Sequence, residues 1–287
     1  MHRTVPSIIY DIAIIGGGAS GLAAAIAAAR TGARVLVFER DVEAGLPLLA
    51  TGNGRCNLSN EDLDPTHYLH PGIASHVMGP TPERDIADFF ASLGLIMTST
   101  DGRLYPITRR AESVRDVLLD ACAREGANLE CACTPAAARY DEETSTWSLE
   151  CQRPARPLKA KAGADAKASL RNLRRALRDA EMTSTTFQAR TIVIAAGGKN
   201  SSVAGIFSLP HASTSPVLCP LAATPCDIAG APLDDDALKT LDGQRVHATL
   251  SLSECGWTET GEVLFRPYGI SGIVAFNASR RVHAGDT

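Results

Sequence analysis

The run Gly16-Gly17-Gly18-Ala19-Ser20-Gly21 constrains this chain more than any other feature. Before it lies a short, β-branched apolar stretch, Ile8–Ile15. After it comes a run of small residues, Ser20–Arg30, that Gly32 closes. Arg34–Phe38 then reads as a second buried strand, Val-Leu-Val-Phe, ending at Glu39. Strand, glycine turn, helix and strand make a βαβ unit with a right-handed crossover. In that context a GxGxxG becomes a dinucleotide-binding fingerprint. Gly16 permits the tight turn, Gly18 lets a pyrophosphate approach the backbone, and Gly21 lets helix and strand pack closely. Amides of Ala19 and Ser20 at the helix start are placed to bind the diphosphate, aided by the helix dipole. Glu39 falls 18 residues after Gly21 (39 − 21), where a carboxylate accepts bonds from the adenosine ribose.

The uncharged stretch Ile12–Ala29 invites a membrane reading. Gly16, Gly17 and Gly18 interrupt it, alanine dominates the remainder, and another apolar strand follows at once, so it is read as part of the βαβ unit. With 45% hydrophobic and 21% charged residues and a net charge of −4, nothing global points to nucleic acid or an anionic membrane. The eight cysteines include no CxxC pair, and no Cys/His pairs have zinc-ligand spacing. Reduced thiols in the cytoplasm are the expected setting.

Further along, Pro82–Leu93 and Ala111–Glu125 have helical apolar spacing, while 41–75 reads as loop-rich. Leu104–Ile107 is short and extended. Asn128–Cys133, Ala136–Tyr140 and Thr146–Cys151 read as strands of a small β-meander, which places Cys131 and Cys133 on one strand face. Residues 153–178 hold nine basic residues (Arg153, Arg156, Lys159, Lys161, Lys167, Arg171, Arg174, Arg175 and Arg178) against one acid, Asp165. Without interleaved aromatics this segment reads as a solvated insertion, its later part a basic helix, rather than a nucleic-acid surface. Phe187–Ala196 returns to a buried strand. From Ser215 four prolines and the acidic run Asp234–Asp236 mark a change to a β-rich texture, with strands expected at Val246–Leu252, Glu262–Phe265 and Ile273–Phe276.

The fingerprint alone does not separate FAD from NAD. Asp11–Arg40 resembles the FAD-binding start of the glutathione-reductase-like flavoproteins. Thr191-Ile-Val-Ile-Ala-Ala-Gly-Gly198 resembles their second motif, with Ala196 where threonine is usual. Ala50-Thr-Gly-Asn-Gly-Arg-Cys-Asn-Leu-Ser-Asn60 closely resembles the signature of the BaiN-like, or aminoacetone-oxidase-like, flavoproteins. Gly102–Pro106, Gly261–Phe265 and Tyr268–Gly272 resemble further blocks of that family. As a segment, Thr51–Asn60 is rich in glycine, asparagine and hydroxyls, a composition that core packing does not explain.

The resemblance implies an α/β protein. Residues 1–214 would form a Rossmann-like FAD-binding domain with a β-meander and a basic insertion at about 153–186. Residues 215–287 would be part of an inserted β-rich domain. The implied cofactor-binding set is Gly16, Gly18, Ala19, Ser20, Gly21, Glu39, Arg40, Asn53, Gly54, Arg55, Cys56, Asn57, Ala136, Ala196 and Gly197, with Ala136 near the adenine. No metal ligand or catalytic residue is assigned, and Cys56 reads as a packing or cofactor contact rather than a redox centre. The implied function is an FAD-dependent oxidoreductase moving hydride between a small organic substrate or NAD(P)H and the flavin. With no second GxGxxG, the electron donor stays open. Members of the family continue beyond the point matching Thr287, so the resemblance implies a chain lacking its C-terminal part. The rival readings are an NAD-binding dehydrogenase, a truncated inactive chain, and a nucleic-acid-associated flavoprotein.

Overall fold

The computed structural model describes residues 8–68, 70–159, 165–198, 201–210, 218–227, 229–234 and 236–282. The chain divides into two compact units, Met1–His211 and Ala212–Thr287. Lys161, Asp235 and the expected boundary at 214/215 lie outside the described residues.

In the first unit β1 (Ile9–Ile15), α1 (Ala19–Ala29) and β2 (Val35–Glu39) form the βαβ core. A 3-10 stretch, Leu46–Gly54, follows. Next come β3 (Ser59–Asn60), α2 (Pro71–Met78), α3 (Pro82–Ser92), β4 (Met97–Thr100), β5 (Arg103–Pro106) and α4 (Ala111–Arg124). The unit continues through β6 (Asn128–Cys131), β7 (Thr134–Asp141), β8 (Thr146–Pro154), α5 (Ala166–Arg178), β9 (Met182–Ile194) and α6 (Ser201–Ile206). The main sheet has the order β6-β2-β1-β9-β8-β7, and a small sheet has the order β3-β5-β4. β1 is parallel to both β2 and β9, and β2 is parallel to β6.

Alternation along the strands divides the core into two layers. Ile14, Val35 and Val37 face α1 and α4, where Leu22, Ile26, Val114 and Leu118 are buried. Ala13, Ile15, Leu36 and Phe38 face the other way, with Leu149, Cys133 and Cys151. Phe187 of β9 meets Phe38 edge to face, at 5.1 Å between ring centroids. Each fully buried Leu or Ile contributes about 1.5–3 kcal/mol. Burial against the sheet therefore stabilises α1 more than any cap, and the helix has no side-chain cap.

The expected meander is corrected. Asn128–Cys131 is a parallel edge strand of the Rossmann sheet beside β2, and the antiparallel ribbon is β7-β8-β9. β9 pairs antiparallel with β8 from Met182 to Ala189 and parallel with β1 from Gln188 to Ile194 for the most part, joining ribbon and sheet in one strand. Cys131 and Cys133 do not share a strand face, because Ala132 turns the chain at φ 52°. Part of the loop-rich 41–75 is the 3-10 stretch, and α2 begins at Pro71.

The second unit contains β10 (Leu221–Ala222), α7 (Ala237–Thr240), β11 (Arg245–Leu252), β12 (Trp257–Arg266), β13 (Gly269–Ser271) and α8 (Ile273–Ser279). Its sheet has the order β10-β13-β12-β11. The strand expected at Ile273–Phe276 is a helix. Gly272 at φ 104° ends β13, and Val274, Ala275 and Ala278 then bury one helical face. Among the described residues, no helix is long and apolar enough to cross a membrane, and no cluster of His, Cys, Asp and Glu is arranged to hold a metal.

Candidate dinucleotide-binding site

A cavity of about 420 Å³ opens at the carboxyl ends of β1, β2 and β9, where ligands bind in open α/β sheets. Ile15, Gly16, Gly18, Ala19 and Ser20 line it from the β1–α1 turn, and Phe38, Glu39 and Arg40 from the end of β2. Pro47, Cys133, Thr134, Pro135, Ala195, Ala196, Gly197, Ser202 and Val203 complete the wall.

Each glycine of the fingerprint has its own cause. A Cβ on Gly16, at φ 111°, would stand 2.4 Å from the Ala195 carbonyl oxygen, and one on Gly21 would stand 1.8 Å from that of Gly16. Those two are required by close packing of turn, helix and strand. A Cβ on Gly18 would meet nothing within 4 Å. Its bare backbone faces the cavity, and a side chain there would fill the space beside the amides. α1 has no acid in its first turn, so its leading N–H groups and dipole favour an anion at Ala19 and Ser20.

Glu39 is 9% exposed. Its Oε2 accepts from the Gly17 N–H at 2.9 Å and its Oε1 from the Asp41 N–H at 2.8 Å. An ionised carboxylate has about four acceptor sites, which leaves capacity for hydroxyls in the cavity. The backbone around it is fixed: Cys133 N–H donates to the Glu39 carbonyl at 2.9 Å and Ala132 N–H to that of Asp41 at 2.7 Å. The Arg174 guanidinium beside Asp41, bonded to its carboxylate, holds that carboxyl below its usual range. Behind the wall the Cys151 thiol bonds to Cys133. That contact holds the Cys133 thiol down and, with burial, pushes the Cys151 thiol up.

Of the expected residues, Gly16, Gly18, Ala19, Ser20, Glu39, Arg40, Ala196 and Gly197 meet at this cavity, and Gly21 packs beneath it. Gly54, Arg55, Cys56 and Asn57 do not line it. Cys56 is 2% exposed in the core layer of α1 and α4, at φ 56°, and burial pushes its thiol up. Thus the polar segment 51–60 does contribute to core packing, through Cys56, which behaves as a small hydrophobe, and through the partly buried Leu58. Asn57 lines a second cavity, of about 450 Å³, with Ser59, Asn60 and Tyr68 among its neighbours. The Asn53 side chain lies outside the described structure. Ala136 is exposed at a bulge between Pro135 and Ala137, and the wall there is Thr134 and Pro135. Pro47, Cys133, Ser202 and Val203 were missed because no local pattern marks them; chain reversals outside the βαβ unit bring them in.

Residues 10–161 match a family model described as HI0933-like protein Rossmann domain. The chain belongs to the HI0933-like family. The 3-dehydro-bile acid delta(4,6)-reductase of Clostridium scindens is 31% identical over 290 residues, 96% of this chain and 61% of that protein. The ribosomal RNA dihydrouridine synthase of Escherichia coli is 30% identical over 118 residues, 40% of this chain and 29% of that protein. The chain thus spans 61% of the length of the first relative and 29% of the second. A crystal structure of THI4 from Thermovibrio ammonificans superposes with a TM-score of 0.47 at 18% identity, over 69% of this chain and 61% of that one.

Proposed function

We propose that this chain carries the FAD-binding unit of an FAD-dependent oxidoreductase in the BaiN-like branch of the HI0933-like family. It moves hydride between the flavin and a small organic substrate or NAD(P)H. The observation that carries this reading is the meeting, at one cavity, of an uncapped helix start, the bare backbone of Gly18 and the Glu39 carboxylate. The 31% identity to a reductase along nearly the whole chain supports the redox assignment.

Bound FAD supplies the two-electron chemistry. The chain's own residues bind and orient. Ala19 and Ser20 present amides to the diphosphate. Glu39 accepts the adenosine ribose hydroxyl while Gly17 and Asp41 hold its two oxygens in place. Phe38, Pro135 and Val203 supply apolar wall that excludes water.

The test is an absorbance spectrum of the purified protein, taken before and after adding FAD and desalting. Retained bands at about 370 and 450 nm are expected for bound flavin. A colourless protein that rejects FAD but binds NAD would instead favour the dehydrogenase.

A second reading takes RNA as the substrate of the same flavin site. It draws support from the exposed cations of α5, namely Lys167, Arg171, Arg175 and Arg178, and from the 30% identical relatives that are ribosomal RNA dihydrouridine synthases.

A further inference from the structure

The β8–β9 connection returns to the dinucleotide cavity through one side chain. Arg174 of α5 reaches Asp41, 133 positions away in sequence. Its Nε lies 3.0 Å from both Oδ1 and Oδ2, and its Nη2 also donates to Oδ2. A fork of guanidinium on carboxylate fixes orientation as well as proximity. The Asp41 N–H is one of the two donors that aim Glu39 into the cavity. Val42 N–H, at 2.8 Å from Asp41 Oδ1, closes the turn.

We propose that Arg174 is a positioning residue for the adenosine ribose: by holding Asp41 it fixes the backbone that aims Glu39. This rests on the reading of Glu39 as the ribose acceptor. The loop after β2 places carboxylates at 39, 41 and 43, close to where an anionic diphosphate would lie. Arg115 pairs with Glu43 at 2.5 Å, and Arg174 neutralises Asp41. Without Arg174, the Asp41 carboxylate is free to turn, and the backbone N–H that aims Glu39 is no longer held in place. Side chains this exposed, 45% for Arg174 and 26% for Asp41, form pairs that contribute little to folding stability. The consequence therefore appears in ligand discrimination rather than in the fold.

The experiment compares binding of ADP and 2′-deoxy-ADP to the full chain by titration calorimetry. A hydrogen bond to a charged group gives wild type a preference for ADP of about 10- to 100-fold. Arg174→Gln is expected to reduce that preference to about threefold or less while 2′-deoxy-ADP affinity stays close to wild type. Asp41→Asn reproduces the loss, and Arg174→Lys restores part of it. Full preference retained in Arg174→Gln, or equal weakening of both nucleotides, overturns the proposal. Should Arg174→Gln fail to fold by circular dichroism, Asp41→Asn and Arg174→Lys decide by the same two criteria. Glu39→Gln separates the layers. If it leaves the preference intact, the ribose reading of Glu39 fails and this proposal with it. If Glu39→Gln abolishes the preference and Arg174→Gln does not, only the Arg174 role fails.

Discussion

Alanine substitutions separate what the fingerprint glycines do at the level of single residues. At Gly16 and Gly21 the new methyl would overlap backbone oxygens, and Gly16 also has positive φ. Strain and clash of that kind cost several kcal/mol. Gly16→Ala and Gly21→Ala are therefore expected to lower the melting temperature and to abolish flavin retention together. Gly18→Ala meets no neighbour, so its melting temperature is expected to match wild type to within about 0.5 kcal/mol of stability. Its methyl would occupy the space beside the Ala19 and Ser20 amides, and FAD affinity is expected to fall about tenfold or more. Thermal melts alongside FAD titrations check both halves. A Gly18→Ala protein that binds FAD normally would remove the diphosphate from that turn.

At the scale of elements, period and burial carried most of the assignments. β1, α1, β2 and α4 form where apolar spacing places them, because their local pattern and their buried face agree, and α3 follows the same spacing with Phe89 and Phe90 half-buried against the core. α8 went the other way. Ile-Val at its start suits a strand, but a buried face with Val274, Ala275 and Ala278 against β12 decided for helix. α5 is the element on which the RNA reading depends. Replacing Lys167, Arg171, Arg175 and Arg178 with glutamine leaves Arg174 in place. If RNA is the substrate, affinity for a single-stranded RNA falls and the slope of log affinity against log salt becomes shallower by about 3. An unchanged slope in filter binding would reject α5 as an RNA contact.

For the whole molecule, acid is the informative variable. Asp11 is held below its usual pKa of 3.8 first by the Arg34 N–H and further by Arg34 and Arg190, tying β1 to β2 and β9. Asp41 is lowered by Arg174, Asp64 by the Thr66 N–H and Asp141 by the Thr144 side chain. A folded pKa below the unfolded one means stability that is fully present above about pH 4 and lost as pH falls through the lower folded values. Melting temperature is expected to hold from neutral pH to about 4 and then to drop. A rise on acidification below that point would contradict the shifts.

The sequence by itself determined the βαβ unit, its glycine roles and Glu39 at the end of β2, because these depend on periodicity and on backbone conformations that only glycine allows. The strand leading to Ala196 and Gly197 was legible for the same reason, although it runs from Met182 to Ile194 and is mostly half-buried or exposed rather than buried. Only the tertiary structure decided that Asn128–Cys131 joins the parallel sheet, that Cys56 sits in the core while Asn57 faces a different cavity, and that Thr134 and Pro135 rather than Ala136 form the wall. The bond between Arg174 and Asp41 belongs to that second class. Its partners are 133 residues apart, and no local spacing encodes a contact made by a strand pairing that brings a distant insertion back to the end of β2.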